Sequence, residues 1–183
     1  MRAGHSDPRK PRGAAVNPST TPSDPSTEPT GNGDTLVKTG LYIGADISES
    51  KSTAADAEGK AKYDVTLVAV TVRDDGVIES CVIDSVPATV KFDATGAITS
   101  DTAAEVLTKN ELGDNYGMKA YGGAKYEWYE QAASFAAYVT GKTPAQVAGI
   151  AVNDKTAPTD ADLASSVTIG IGDFQALIAK AAA

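Results

Sequence analysis

The sequence predicts an α+β domain: an antiparallel sheet built on a long hairpin and covered by two or three helices. Three observations carry this. The first is Asp64–Val86, DVTLVAVTVRDDGVIESCVIDSV, in which two β-branched, apolar runs flank Asp74-Asp75-Gly76. A turn of that composition between such runs signals a hairpin, because Gly supplies the positive φ that matches strand twist. The second is Lys125–Thr140, where Trp128, Ala132, Phe135, Ala136 and Val139 fall on one helical face. The third is the order of elements. Strands come first and helices mostly follow, which favours α+β over an alternating α/β chain.

Taken in order, residues 1–35 read as a tail without a core. Asn17–Thr30, NPSTTPSDPSTEPT, cannot bury enough apolar surface to offset chain entropy. Its prolines bias it toward an extended spacer, expected to act as a stalk or cell-envelope tether. Residues 36–183 are expected to form one domain, long enough to bury roughly two-thirds of its unfolded surface. Val37–Ile47 reads as the first strand, with Gly40 and Gly44 marking a bulge or a close neighbour. Ser48–Lys60 is a polar loop. Apolar side chains at both parities of Val65–Val72 suggest a central strand covered on both sides. Pro87 is expected to close the hairpin, with short strands following at Thr89–Asp93 and Ala97–Thr99.

From Ser100 the pattern turns helical, with Ala103, Ala104, Val106 and Leu107 as the apolar positions and Ser100 or Asp101 as cap. Asn110–Gly123 is glycine-rich and irregular, either a connecting loop or one that carries ligand contacts. Gly141 ends the Lys125 helix in the left-handed position. Thr143-Pro144-Ala145-Gln146 opens a short second helix with a capping box and proline at the first helical position. Thr159 can cap another short helix from Asp160. Ser166–Ile171, SVTIGI, has strand composition. Asp173 can cap a final helix whose face is Phe174, Leu177, Ile178 and Ala181.

Composition excludes several functions. The formal net charge is -8, and the charges of Met1–Asp34 cancel, so the excess acid belongs to the domain. Nucleic-acid binding needs a basic footprint and is not expected. The only histidine, His5, lies in the tail, which removes histidine-based nucleophilic catalysis and histidine metal ligation from the domain. The single cysteine, Cys81, sits within a strand and reads as a buried thiol; no metal site is expected. Asp74/Asp75 and Asp160/Asp162 are paired acids, read as turn and helix-start residues before catalytic ones. No run is long and apolar enough for a transmembrane segment, and Met1 opens no secretory signal, so an exported protein would have lost its signal. The chain is expected to act as a monomer.

One motif suggests a cofactor. The run VAVTVRDDGVIESCVID, followed far downstream by Asp162-Leu163-Ala164-Ser165-Ser166-Val167-Thr168 and a helix, resembles the FMN-binding domain family. The middle of the chain, ELGDNYGMKAYGGAKYEWYEQAASFAAYVTGKT, is similar to extracytoplasmic proteins and lipoproteins of anaerobic bacteria. The resemblance spans about Thr39 to Lys180. It implies an extracytoplasmic location at the cell surface or envelope. It also implies FMN esterified through its phosphate to Thr168, with Asp162 and Ser165 at the other motif positions, in a domain that carries electrons. The family glycine is Ser166 here and the family alanine is Val167. Two readings follow: a surface-tethered binding or structural module whose flavin site has decayed, or a flavin-carrying electron-transfer domain with FMN at Thr168. Both expect the hairpin and Asp162–Thr168 to lie in one sheet or adjacent in space.

Overall fold

A computed structural model describes residues 36–183, so the expected tail or stalk over residues 1–35 lies outside the described residues. Among the described residues, three strands form one antiparallel sheet, in the order β1 (Val37–Asp46), β2 (Gly59–Arg73), β3 (Ile78–Phe92). The fold is α+β. β2 and β3 form the hairpin. The Asp74-Asp75-Gly76 turn closes with Gly76 at φ 80° and with Arg73 N–H donating to the Val77 carbonyl at 2.9 Å. Asp75 Oδ1 accepts from Val77 N–H at 2.9 Å, the local side-chain bond that makes Asp a turn residue.

Pro87 does not end the strand. It pairs with Asp64 inside β3, and the short strand expected at Thr89–Asp93 is the continuation of the same element. β3 is an edge strand, where a residue without an N–H costs no ladder bond on the outer side. Ala97–Thr99 adds only an isolated bridge, Ile98 to Phe92. The helix expected from Ser100 is absent. Asp101 Oδ1 instead accepts from Ala103 N–H at 2.9 Å and holds a turn.

The first helix, α1 (Lys109–Leu112), starts at a capping box between Thr108 and Glu111. A 3-10 turn (Gly113–Tyr116) and α2 (Met118–Gly122) follow, so the glycine-rich stretch is two short helical pieces. α3 (Trp128–Val139) and α4 (Pro144–Ala148) form as expected, the latter with its Thr143/Gln146 capping box and Gly141 at φ 85° before it. α5 (Ala161–Ala164) is capped by Asp160 rather than Thr159. α6 (Gly172–Ala181) buries Phe174, Leu177, Ile178 and Ala181; Asp173 lies in its first turn without a capping bond.

α3 and α6 cover one face of the sheet. Val68, Val70, Ile78 and Ile83 meet Trp128, Phe135, Val139, Phe174, Leu177 and Ile178 in a single core. Phe174 packs edge-on to Trp128, with ring centroids 6.0 Å apart, and tilts against Phe135 at 5.9 Å. α6 can lie on β1 because of two glycines. A Cβ at Gly40 would stand 1.7 Å from the Ala181 carbonyl oxygen, and one at Gly44 3.0 Å from a Leu177 methyl. The close-neighbour reading of these glycines therefore describes them, and β1 has no bulge there.

Among the described residues nothing covers the opposite face, contrary to the expected cover on both sides. Side chains alternate along a strand. Leu41 and Ile43 of β1 and Val82 of β3 point away from the helices and are more than half exposed.

Ser166–Ile171 is not a strand, despite its composition. Val167 and Ile171 are buried in the core, but the backbone between them bonds to side chains and loops. The fully buried Gln131 of α3 supplies one oxygen, Oε1, that accepts from Thr168 N–H at 2.8 Å and Ile169 N–H at 3.2 Å. Ile171 N–H donates to the Thr156 carbonyl at 2.8 Å. Asp162–Thr168 thus lies outside the sheet. Its Val167 belongs to the same buried core cluster as Val68 and Val70 of the hairpin.

Candidate functional site

The helix-bearing side of the sheet changes character along its length. The inward positions of β2 run from Val70 and Val68 to Thr66 and Asp64, and the β3 positions opposite run from Ile83 to Ser85. The apolar half lies under α3 and α6. The polar half lines a cleft of about 520 Å³, within the range of small-molecule sites. Its walls are Gly44–Asp46 of β1, Tyr116 and Met118 of the glycine-rich stretch, Trp128 of α3, Ile169 and Gly170 of the loop, and the exposed shoulder of α6.

Lys109 and Asp64 define the polar end. Lys109 is only 8% exposed. Its Nζ lies 2.6 Å from Asp64 Oδ1, and 5.3 and 5.1 Å from the ring centroids of Tyr116 and Trp128. The ammonium is thus held by one carboxylate and two aromatic faces, the arrangement that compensates a desolvated cation. Asp64 also accepts from Ser85 Oγ at 3.1 Å and faces Lys62 Nζ at 3.5 Å. Burial pushes its carboxyl up, but the hydrogen bond and charge of Lys109, with Ser85 and Lys62, outweigh this and hold it below the ordinary value. Asp46, beside Asp64 across the β1–β2 ladder, is also lowered, by hydrogen bonds from Ser48 N–H and Oγ.

A second buried carboxylate shapes the wall. Glu127, 1% exposed, accepts from Met118 N–H at 2.7 Å and Lys119 N–H at 2.9 Å. These are free donors at the start of α2, and the carboxylate satisfies them. It ties α2 to the head of α3 and so places Met118 and Trp128 on the same cleft.

None of the three residues singled out from the sequence lines this cleft. Asp162 is exposed on α5, and its carbonyl accepts from Ser165 Oγ at 2.7 Å. Thr168 is exposed, and its hydroxyl donates to Gln131 Oε1 at 3.1 Å. The two residues after it, Ile169 and Gly170, do line the cleft. The paired acids have structural roles: Asp75 in the hairpin turn, Asp160 as a cap. Cys81 is half-buried on the helix-bearing side of β3, where burial pushes its thiol up to about 12. Among the described residues, no group of three His, Cys, Asp or Glu side chains could hold a metal ion, and no helix is long and apolar enough to cross a membrane.

Sequence reasoning missed Lys109 and Asp64 as a site. Asp64 carried a usable signal, an acid on the same parity as Val68 and Val70. Lys109 carried none, since its burial depends on partners from three other elements. Among the described residues, the fold and cleft define an α+β domain with a mixed polar and aromatic site at the end of its sheet. No family model, curated protein or solved structure matches the chain.

Proposed function

We propose that this is a surface-tethered, extracytoplasmic binding module that takes a small molecule in the cleft between β1–β2 and α6. The observation that carries the reading is Lys109, a nearly buried cation held by Asp64, Tyr116 and Trp128 at the cleft's polar end. Buried charge is costly unless satisfied, and here it is satisfied beside an open cavity. A planar or apolar body can rest on Trp128, Phe174 and Met118, while its polar groups meet Asp46, Asp173 and Lys180. The Pro/Ser/Thr-rich composition of Asn17–Thr30 supports the tether.

Trp128 is the chain's single tryptophan, so intrinsic fluorescence reports directly on the cleft. Titration with FMN and riboflavin should quench it saturably, and Lys109→Met should weaken the response. A linear response, identical in the variant, counts against the cleft as the site.

A second reading, the flavin-carrying electron-transfer domain, is favoured by the exposure of Thr168 and by the cleft-lining residues that follow it. When bound, the flavin would supply the redox chemistry. The chain would supply the acceptor hydroxyl of Thr168, oriented by Gln131, with Asp162 and Ser165 on the preceding turn. Expression in a host that has the flavin transferase tests this. A covalent mass increment and flavin absorbance, both lost in Thr168→Ala, support it; colourless, unmodified protein refutes it.

A further inference from the structure

We propose that the open face of the sheet is the interface of a homodimer, covered by a second copy of this chain placed face to face about a two-fold axis. The face is made of cross-strand rows set by the register: Ala45–Val65–Val86, Ile43–Leu67–Asp84, Leu41–Ala69–Val82 and Thr39–Thr71–Ser80. Leu41, Ile43 and Val82 are 56%, 53% and 57% exposed.

Most charges of these strands lie elsewhere; Arg73, on the open-face parity one row beyond Thr71, is paired with Asp75 and Glu79 at the turn end. Lys38, Asp46, Lys62 and Asp64 fall on the opposite parity, the side that carries the helices. Within the four rows the one ionisable group is Asp84, whose Oδ1 is occupied by Asn110 N–H at 3.2 Å and Ser85 N–H at 2.7 Å along the β3 edge. A sheet facing water normally alternates apolar-in with polar-out. This one is apolar outward and partly polar inward, the pattern of a sheet with a layer on each side.

Area and composition select the occupant. Three strands spaced about 4.8 Å apart, over about ten residues at 3.3 Å each, give a face of roughly 500 Å² in projection. Two copies then cover about 1,000 Å², the size at which specific interfaces begin. A patch so nearly uncharged meets its own copy without like-charge repulsion, which a two-fold pairing requires. Residues 1–35 hold Met1 and Val16 as their only large apolar side chains, so this segment lacks the chemistry to cover the face. The mode resembles the aligned packing of two sheets in a sandwich.

The test is the mass of the full-length chain by sedimentation equilibrium from low to several hundred micromolar. A monomer–dimer equilibrium is expected within that range. Val82→Lys should weaken it at least tenfold, with the circular dichroism spectrum unchanged because the position is exposed. Leu41→Lys, on the other outer strand, should do the same and guards against misfolding of either variant. A monomer at every concentration overturns the proposal. So does a dimer that persists in Val82→Lys, which would point to edge pairing through β1. A monomer that co-floats with phosphatidylcholine vesicles also overturns it, in favour of a lipid surface.

Discussion

Asp64 Oδ1 and Lys109 Nζ, brought together from the central strand and the first helix, stand 2.6 Å apart at the polar end of the cleft. Lys109 is the more buried partner, with side-chain exposure of 9% against 25% for Asp64. Removing the carboxylate is therefore worse than removing the ammonium. Asp64→Asn leaves a desolvated cation between two rings and should cost about 2–3 kcal/mol, somewhat below the usual cost of breaking a fully buried pair, since Asp64 is partly solvated. Lys109→Met places an apolar chain of similar length between Tyr116 and Trp128, while Asp64 keeps Lys62 and Ser85. It should cost less than about 1.5 kcal/mol. Urea denaturation checks the order: both midpoints fall, Asp64→Asn further, with unchanged slopes.

The same pair sets a pH dependence. The carboxyl of Asp64 is depressed in the folded state, so its contribution is fully present above its unfolded value, near 3.8. It is lost as pH falls from there through the folded value. Wild-type stability should drop across that acid window. The gap to Asp64→Asn should be constant from neutral pH down to about 5 and close below 4, as the wild-type carboxyl protonates. Chemical denaturation in an acid pH series measures it; a gap that persists undiminished at the lowest pH would assign the cost to something other than the carboxylate's charge.

Local chemistry made much of this fold legible. The Asp74-Asp75-Gly76 turn, the Trp128–Val139 face and the Thr143/Pro144/Gln146 cap each rest on neighbours within a few residues, and each formed. Failures came where distant partners decide. Pro87 is compatible with a strand only because β3 is an edge, which the sequence does not state. SVTIGI has strand composition, but Gln131, 37 residues from Thr168, takes its backbone donors. The apolar residues on both parities of β2 suggested two covering layers, and one belongs to the described chain. The cleft was illegible for the same reason: Lys109 gains its setting from β2, the 3-10 turn and α3 together.

Gly40 and Gly44 differ in what they face, so equal substitutions should differ in effect. At Gly40 the obstacle is the Ala181 carbonyl, 1.7 Å from the added Cβ; at Gly44 it is the end of the Leu177 side chain at 3.0 Å. Backbone cannot step aside without lifting the end of α6 from β1. Gly40→Ala should therefore cost about 2–3 kcal/mol through overpacking, and Gly44→Ala under about 1 kcal/mol as Leu177 changes rotamer. Thermal melts of the two variants make the comparison; equal losses would mean that α6 moves freely on the sheet.

Gln131 holds the loop that follows the motif. Its Oε1 accepts from Thr168 N–H, Thr168 Oγ and Ile169 N–H, while its Nε2 donates to the Tyr126 carbonyl at 3.0 Å. Gln131→Leu keeps the approximate volume and removes all four bonds. Thr168 is exposed, so water can replace some of what its groups lose, and the expected cost is about 2–3 kcal/mol rather than the full sum of four bonds. The amides of Thr168 and Ile169 should then exchange faster in hydrogen–deuterium measurements, ahead of the buried Ile178 amide in α6. Because Ile169 and Gly170 form one wall of the cleft, the same variant should also alter the Trp128 response to flavin. Faster exchange without a change in that response would place the anchoring role of Gln131 in stability alone; changes in both would make the buried amide the link between the Thr168 loop and the cleft.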